Sequence, residues 1–310
     1  MINSHVSSFA GLPVLPFTPG TPLPEDPSGV AWRLAVDDFE AEPEEFADLL
    51  RAMLDEVPVE SVRAVVIGEW GSAYEREPPL DLLVAAADRW TGLRALFLAD
   101  LVSEECEISW LTLDDVTPLL TAYPALEVLW IRGAAGLRLD PVRHTGLREL
   151  RIESGGLPGA VVRAVGASDL PALHRLDLWL GRAGYGGDTT VDDLAPILSG
   201  DRLPALRHLA PCNAENADAV AAAVAVAPVV GQLEVLDLSM GTLTDPGAEA
   251  LLAGQPLTHL AALDLHHHFL SAECQQRLVA ALPGVRVDLS DPQSPHEYRG
   301  QEYHYTAVGE

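Results

Sequence analysis

Apolar residues along the chain recur as L-x-x-L-x-L. Copies stand at Leu93-Leu96-Leu98, Leu126-Leu129-Ile131, Leu147-Leu150-Ile152, Leu173-Leu176-Leu178, Leu233-Leu236-Leu238 and Leu260-Leu263-Leu265, with a weaker one at Leu206-Leu209-Pro211. Valine versions appear at Val62-Val65-Ile67 and Leu282-Val285-Val287, and Ala31-Leu34-Val36 starts the series. In each copy the last two apolar residues are two apart, the spacing of one face of a strand. Steps between copies run from 21 to 33 residues, which gives each strand one return segment. The pattern predicts about ten parallel strands in a single repeat array.

The return segments are amphipathic and carry helix start signals. Residues 112–120 and 190–198 share the arrangement Thr-x-Asp-Asp-x-x-Pro-x-Leu. There an Asp can cap a helix, and Pro is expected in the first turn, where its missing N–H costs little. Capping explains these Asp pairs better than metal coordination does. Further helices are expected over 44–56, 80–90, 159–167, 214–227, 246–253 and 272–282, with Thr244 or Asp245 and Ser271 capping the last two. The 21-residue step from Leu126 to Leu147 has no room for a full helix. Residues 133–139 are therefore expected to be extended or 3₁₀.

On these motifs the chain resembles the leucine-rich-repeat superfamily, nearest in repeat length to its ribonuclease-inhibitor-like class. The resemblance covers residues 31–289 and implies an α/β horseshoe solenoid, with parallel strands on the concave face and helices or short 3₁₀ segments on the convex face. The family's asparagine position reads Trp70, Leu101, Ala134, Gly155, Gly181, Ala214, Gly241 and His268 here, so the asparagine ladder is missing. Phe9-Ala10-Gly11-Leu12-Pro13-Val14 and Thr306-Ala307-Val308-Gly309-Glu310 also resemble an actinobacterial-type family of bacterial repeat proteins. That second resemblance implies gene neighbours of ligase and radical-enzyme type. Such solenoids are generally binding scaffolds, so the likeness bears on fold and not on activity.

Three regions follow. Residues 1–29 are proline-rich and read as a strap or cap over the edge of the first strand. Residues 30–290 are the solenoid, and residues 291–310 form a polar aromatic tail that either packs over the last repeat or stays mobile.

Between the leucines of each strand, alternate residues face the concave side. The first strands offer Arg33, Ala35, Asp37, then Ala64, Val66, Gly68, then Ala95, Phe97, Ala99. The middle strands offer Val128, Trp130, Arg132, then Glu149, Arg151, Glu153, then Arg175, Asp177, Trp179. The later ones offer His208, Ala210, Cys212, then Val235, Asp237, Ser239, then Ala262, Asp264, His266. Neighbouring strands lie about 4.8 Å apart, so Trp130, Arg132, Arg151, Arg175, Asp177 and Trp179 are expected to converge on one partner-binding patch. Trp and Arg dominate interface energetics; the alternative is that Trp130 and Trp179 pack on neighbours or beneath a terminal segment.

Net charge is -27, and every basic residue is Arg. That composition, with much Ala and Leu, suggests a GC-rich bacterial genome. The acidity disfavours nucleic acid and membrane surfaces as partners and suits a protein or peptide of basic or mixed charge. Cys106, Cys212 and Cys274 are widely spaced, as expected of buried free thiols in a reducing cytosol. The N-terminus lacks the basic region of a signal peptide, and no apolar run is long enough to span a bilayer, which leaves a cytoplasmic location.

No G-x-S-x-G, H-E-x-x-H, phosphate-cradling or dinucleotide-binding motif is present. His266, His267 and His268, with Asp237 and Asp264 nearby, lack the spacing of a zinc motif. Alternation places His266 and His268 on one side and His267 on the other. The cluster is read as an ordinary strand end, with no metal and no cofactor. The expected function is a non-enzymatic protein-interaction scaffold. Its alternative is an accessory protein that presents or receives a peptide substrate for a modifying enzyme, and a metal-dependent enzyme ranks lower.

Overall fold

The computed structural model describes residues 2–38 and 41–309; Met1, Phe39, Glu40 and Glu310 lie outside the described residues, and with them the outermost positions of the expected strap and tail. An antiparallel pair, β1 (Ser8–Phe9) and β2 (Leu12–Pro16), comes first. Strands and helices then alternate: β3 (Ala31–Leu34), α1 (Pro43–Glu56), β4 (Ala64–Ile67), α2 (Leu80–Ala85), β5 (Ala95–Leu98) and α3 (Thr117–Ala122). β6 (Val128–Arg132) passes to β7 (Glu149–Glu153) without a helix, and α4 (Gly159–Ala167) follows. The pattern continues with β8 (Arg175–Gly181), α5 (Val191–Ser199), β9 (His208–Ala214), α6 (Ala217–Val224), β10 (Val235–Asp237) and α7 (Asp245–Ala253). It closes with β11 (Ala262–Asp264), α8 (Ala272–Ala281), β12 (Arg286–Asp288) and a separate hairpin of β13 (His296–Tyr298) and β14 (Gln301–Tyr303).

β1 to β12 form one twelve-stranded sheet in chain order, and from β2 onward every pairing is parallel. The ten strands marked by the apolar repeat are β3 to β12. Their register aligns Leu96, Leu129, Leu150, Leu176, Leu209, Leu236 and Leu263 side by side. None of these is more than 2% exposed. Each such side chain contributes about 1.5–3 kcal/mol by leaving water, which makes this stack the spine of the core. Helices and irregular segments cover the other side, giving an α/β leucine-rich-repeat-like solenoid. β2 pairs with β3, so the first repeat strand is not a free edge.

Several return segments depart from the sequence pattern. α3 begins at Thr117 with Pro118 in its first turn, as expected, while Thr112 and Asp115 before it form parallel bridges with Ala135 and Arg138. The Asp115 carboxylate accepts the Thr117 N–H at 2.9 Å. Residues 133–139 are bridged and non-helical, as their short step requires. α5 is capped by Thr190, whose side chain bonds reciprocally with Asp193. Pro196 sits inside α5 and not in its first turn, which removes one hydrogen bond from the helix. α2 ends early in a 3₁₀ turn at Ala86–Asp88, and α6 starts at Ala217 because β9 runs on through Ala214.

Backbone groups replace most of the missing asparagine ladder. Gly133, Arg182, Thr242 and Phe269 donate their N–H groups to Glu153, Gly155, Ala214 and Leu243, the carbonyls of a neighbouring repeat, at 2.7–3.0 Å. This close approach needs small residues. A Cβ on Gly181, whose φ is +69°, would lie 2.0 Å from the Gly155 oxygen. Where a larger residue stands, a side chain does the work. Glu69 Oε1 accepts the N–H groups of Trp70, Gly71 and Ala73. His268 Nδ1 accepts from Leu270 N–H, and its Nε2 lies 3.2 Å from the Leu289 oxygen.

Candidate functional site

The concave face is not uniformly open. At its N-terminal end Ala31, Ala64, Val66 and Ala95 make a bed of small side chains, and Phe9 of β1 lies on it. The Phe9 ring meets Phe97 at 5.9 Å and Trp130 edge-on at 5.2 Å, and Val6, Leu12 and Val14 complete the cover. The apolar character of these outward positions is thus matched by the chain's own first residues.

A seam of alternating charges follows. Arg33 Nη2 donates to the Asp100 carbonyl at 2.9 Å, and its Nε lies 3.4 Å from Asp100 Oδ2. Arg132 Nη1 reaches Asp100 Oδ1 at 3.2 Å and the Leu101 carbonyl at 2.7 Å, while its Nε reaches Glu153 Oε2 at 2.7 Å. Glu153 in turn accepts Arg151 Nη2 at 2.8 Å. Asp100 is fully buried, which pushes its carboxyl above the usual range against the pull of Arg132 and Arg33. Strict alternation ends at Ala99 and does not point to Asp100. The left-handed backbone of Ala99 (φ 69°) breaks that alternation.

The six residues expected to converge do lie together, with Trp130, Arg151 and Asp177 in register across β6, β7 and β8. The Arg151 guanidinium stands between two indoles, 4.8 Å from the Trp130 ring and 5.4 Å from the Trp179 ring. Trp130 Nε1 donates to Glu149 Oε1 at 2.7 Å. Arg175 donates twice to Asp177 Oδ2, at 2.7 and 3.0 Å, and His208 Nε2 lies 3.2 Å from Asp177 Oδ1. Burial pushes the Asp177 carboxyl up, but the bonds from His208 and Arg175 outweigh it and hold the group below the usual range. Arg132, Asp177 and Trp179 are buried, so the face they were expected to share is narrower than the sequence suggested. Trp130, Arg151 and Arg175 remain partly exposed, with Glu149 and His208 beside them.

Toward β12 the strip turns acidic. Asp237, Asp264 and Asp288 are neighbours in register on β10, β11 and β12. Burial raises the Asp237 carboxyl, and Asp264 and Asp177 add to the rise. His266 Nδ1 lies 2.8 Å from Asp264 Oδ1, and this bond raises the imidazole above its ordinary value. The expected pairing of His266 with His268 on one side does not occur. His267 is left-handed (φ 55°), so its ring turns out to meet Tyr305, and His268 points into the solenoid with lowered basicity from burial.

The same device recurs in β9 and just beyond β10. Asn213 and Met240 are also left-handed (φ 53° and 66°), and both meet the C-terminal tail. Strict alternation turns all three inward and so does not single out Asn213. An asparagine one position before the repeat's own asparagine position, tolerant of left-handed backbone, was the available signal. A separate cleft of about 520 Å³ at the rim is lined by Asp37, Glu69, Tyr74, Glu75, Glu104 and Glu105. Its buried carboxylate, Glu69, is already engaged by three backbone N–H groups.

Fold and face together define a leucine-rich-repeat-like solenoid whose concave side is partly filled by its own ends. No protein-family model matches the chain, and no curated protein matches it. A crystal structure of a Bacteroides fragilis protein, a structural-genomics target, superposes with a TM-score of 0.78 at 33% identity, covering 89% of this chain and 76% of that one. The chain belongs to the same family as that protein. A TLR13 chain, from a crystal structure of its complex with ssRNA13, matches at a TM-score of 0.34 and 13% identity over 79% of this chain and 38% of its own, too weakly to carry an argument.

Proposed function

We propose that this protein is a non-enzymatic interaction scaffold that binds a protein or peptide partner on the open strip of its concave face. The observation that carries this reading is the Trp130–Arg151 stack, which is backed by the buried Trp179 and stays partly exposed beside Arg175 while both flanks are covered. Stacked guanidinium and indole groups are preorganised, so ordering them on binding costs little. The arginines suit acidic groups, and the Asp237–Asp264 row suits basic ones, so the partner is of mixed charge. By repeat length the scaffold is of the ribonuclease-inhibitor-like class, and its two ends carry the actinobacterial-type likeness. Buried free thiols at Cys106, Cys212 and Cys274 fit a cytoplasmic location. A photo-reactive residue in place of Arg175 tests the site. It should crosslink a partner from native lysate, whereas the same residue in place of the exposed Val279 on α8 should not. Equal crosslinking from the two positions would contradict the reading.

A further inference from the structure

The C-terminal residues sit on the concave face as an extended peptide sits in a receptor. Asn213, which is fully buried, reads the main chain of Val308 from both sides: its Oδ1 accepts the Val308 N–H at 3.0 Å, and its Nδ2 donates to the Val308 carbonyl at 2.7 Å. Ala307 N–H donates to the Met240 carbonyl at 2.8 Å, and Ser109 Oγ donates to the Gly309 carbonyl. The Val308 side chain fills an apolar socket of Ile108, Trp179, Ala210 and Cys212, with Ile2 at its edge. The groove is shaped to the backbone it holds: a Cβ on Gly155 would lie 2.4 Å from the Gly309 oxygen.

The connection to this segment is of a different character. β13 and β14 are exposed at every position. Tyr305 and His304 anchor the approach through ring contacts with Phe269 and His267, and the Tyr305 carbonyl lies 3.1 Å from His267 Nε2. A short buried segment on an exposed tether can leave its groove without disturbing the repeat core.

We propose that this groove is a main-chain-reading peptide site, held in cis by Thr306 to Gly309, and that it takes an extended segment of a partner protein when the tail leaves. The segment carries a small β-branched residue at the Val308 position, flanked by small residues. It also carries a carboxylate for Arg151, which stacks on the Trp179 that walls the socket. A second copy's tail is the poorer occupant. It offers no contact that the cis tail lacks, and the cis tail holds the advantage of a high effective concentration. A partner segment gains by reaching the neighbouring open strip. The inference deepens the scaffold reading and rests on it.

The test uses the full chain with Val308→Asp, which places a charge in the socket and vacates it. The probe is a fluorescent peptide of residues 302–310. The variant should bind the peptide at least about tenfold more tightly than the unmodified chain, where the cis tail competes. Adding Asn213→Ala should abolish the gain. Hydrogen exchange on the unmodified chain gives a readout that does not depend on the variant: the Ala307 and Val308 amides should exchange far faster than those of β8 and β9. The proposal is overturned if folded Val308→Asp binds no better than the unmodified chain, or if binding survives Asn213→Ala. It is also overturned if the tail amides are as protected as the strands, or if the unmodified chain sediments as a tail-exchanged dimer. Failure here with partner crosslinking at position 175 intact would remove the peptide groove and leave the scaffold reading standing.

Discussion

Leu150 and Leu176 are the residues on which the register can be judged, because each lies between the leucines of both neighbouring strands. Truncating either to Ala removes a buried isobutyl group in a stack that cannot collapse without bending the sheet. A loss of about 2–5 kcal/mol is expected by chemical denaturation. Near-neutral results at both positions would mean that these side chains do not face the core. Asp237 gives a prediction in pH. Its folded-state carboxyl is raised, so its contribution to stability is fully present below the unfolded value and is lost as pH rises through the folded value. At neutral pH the half-buried carboxylate therefore destabilises the fold. Asp237→Asn keeps the oxygen that accepts the Ser239 N–H at 2.9 Å and removes the charge. Its melting temperature should exceed that of the unmodified chain at neutral pH, and the advantage should disappear in acid. An advantage that persists unchanged in acid would show that charge is not the cause.

Elements were legible in the sequence where a periodic demand had one solution, and obscure where neighbours offered another. The leucine spacing marked β3 to β12 because a strand with one buried face admits a single register. α4 matched its expected span because nothing competes for residues 159–167. The residues just before α3 pair with the next repeat, a contact that local patterning cannot reveal. The ends of β9, β10 and β11 were obscure for a different reason. A left-handed residue moves one side chain to the opposite face; Met240 is not a residue type that announces that conformation, and His267, though of a type enriched there, is one of three consecutive histidines. The loss of the asparagine ladder was legible, but its replacement was not. His268→Ala tests that replacement: it leaves the Leu270 N–H and the Leu289 carbonyl without partners, and a cost of about 1–3 kcal/mol is expected in thermal or chemical melts. An unchanged melt would show that the neighbouring backbone satisfies these groups without the imidazole.

At the scale of the whole molecule, both ends of the chain return to the concave face. Phe9 closes the apolar third and Val308 closes the socket beside Trp179, which leaves the Trp130–Arg151–Arg175 strip between them. The sequence located the residues of that strip and left open that a terminal segment covers the indoles, but a segment without repeat periodicity carries no signal of where it docks. The thiols are quiet within this arrangement: burial pushes Cys106 up to about 12 and Cys274 up to about 11, and raises Cys212 well above its ordinary value. On the proposed reading, the accessible guanidinium and indole groups of this strip are the ones that meet a partner. The most direct measurement is the affinity of a captured partner for the full chain carrying Trp130→Ala and Arg151→Ala, singly and together, beside the melting temperature of each variant. The account predicts at least about a tenfold loss for each single variant and a larger loss for the double, with the chain still folded. Unchanged affinity in a folded double variant would contradict it.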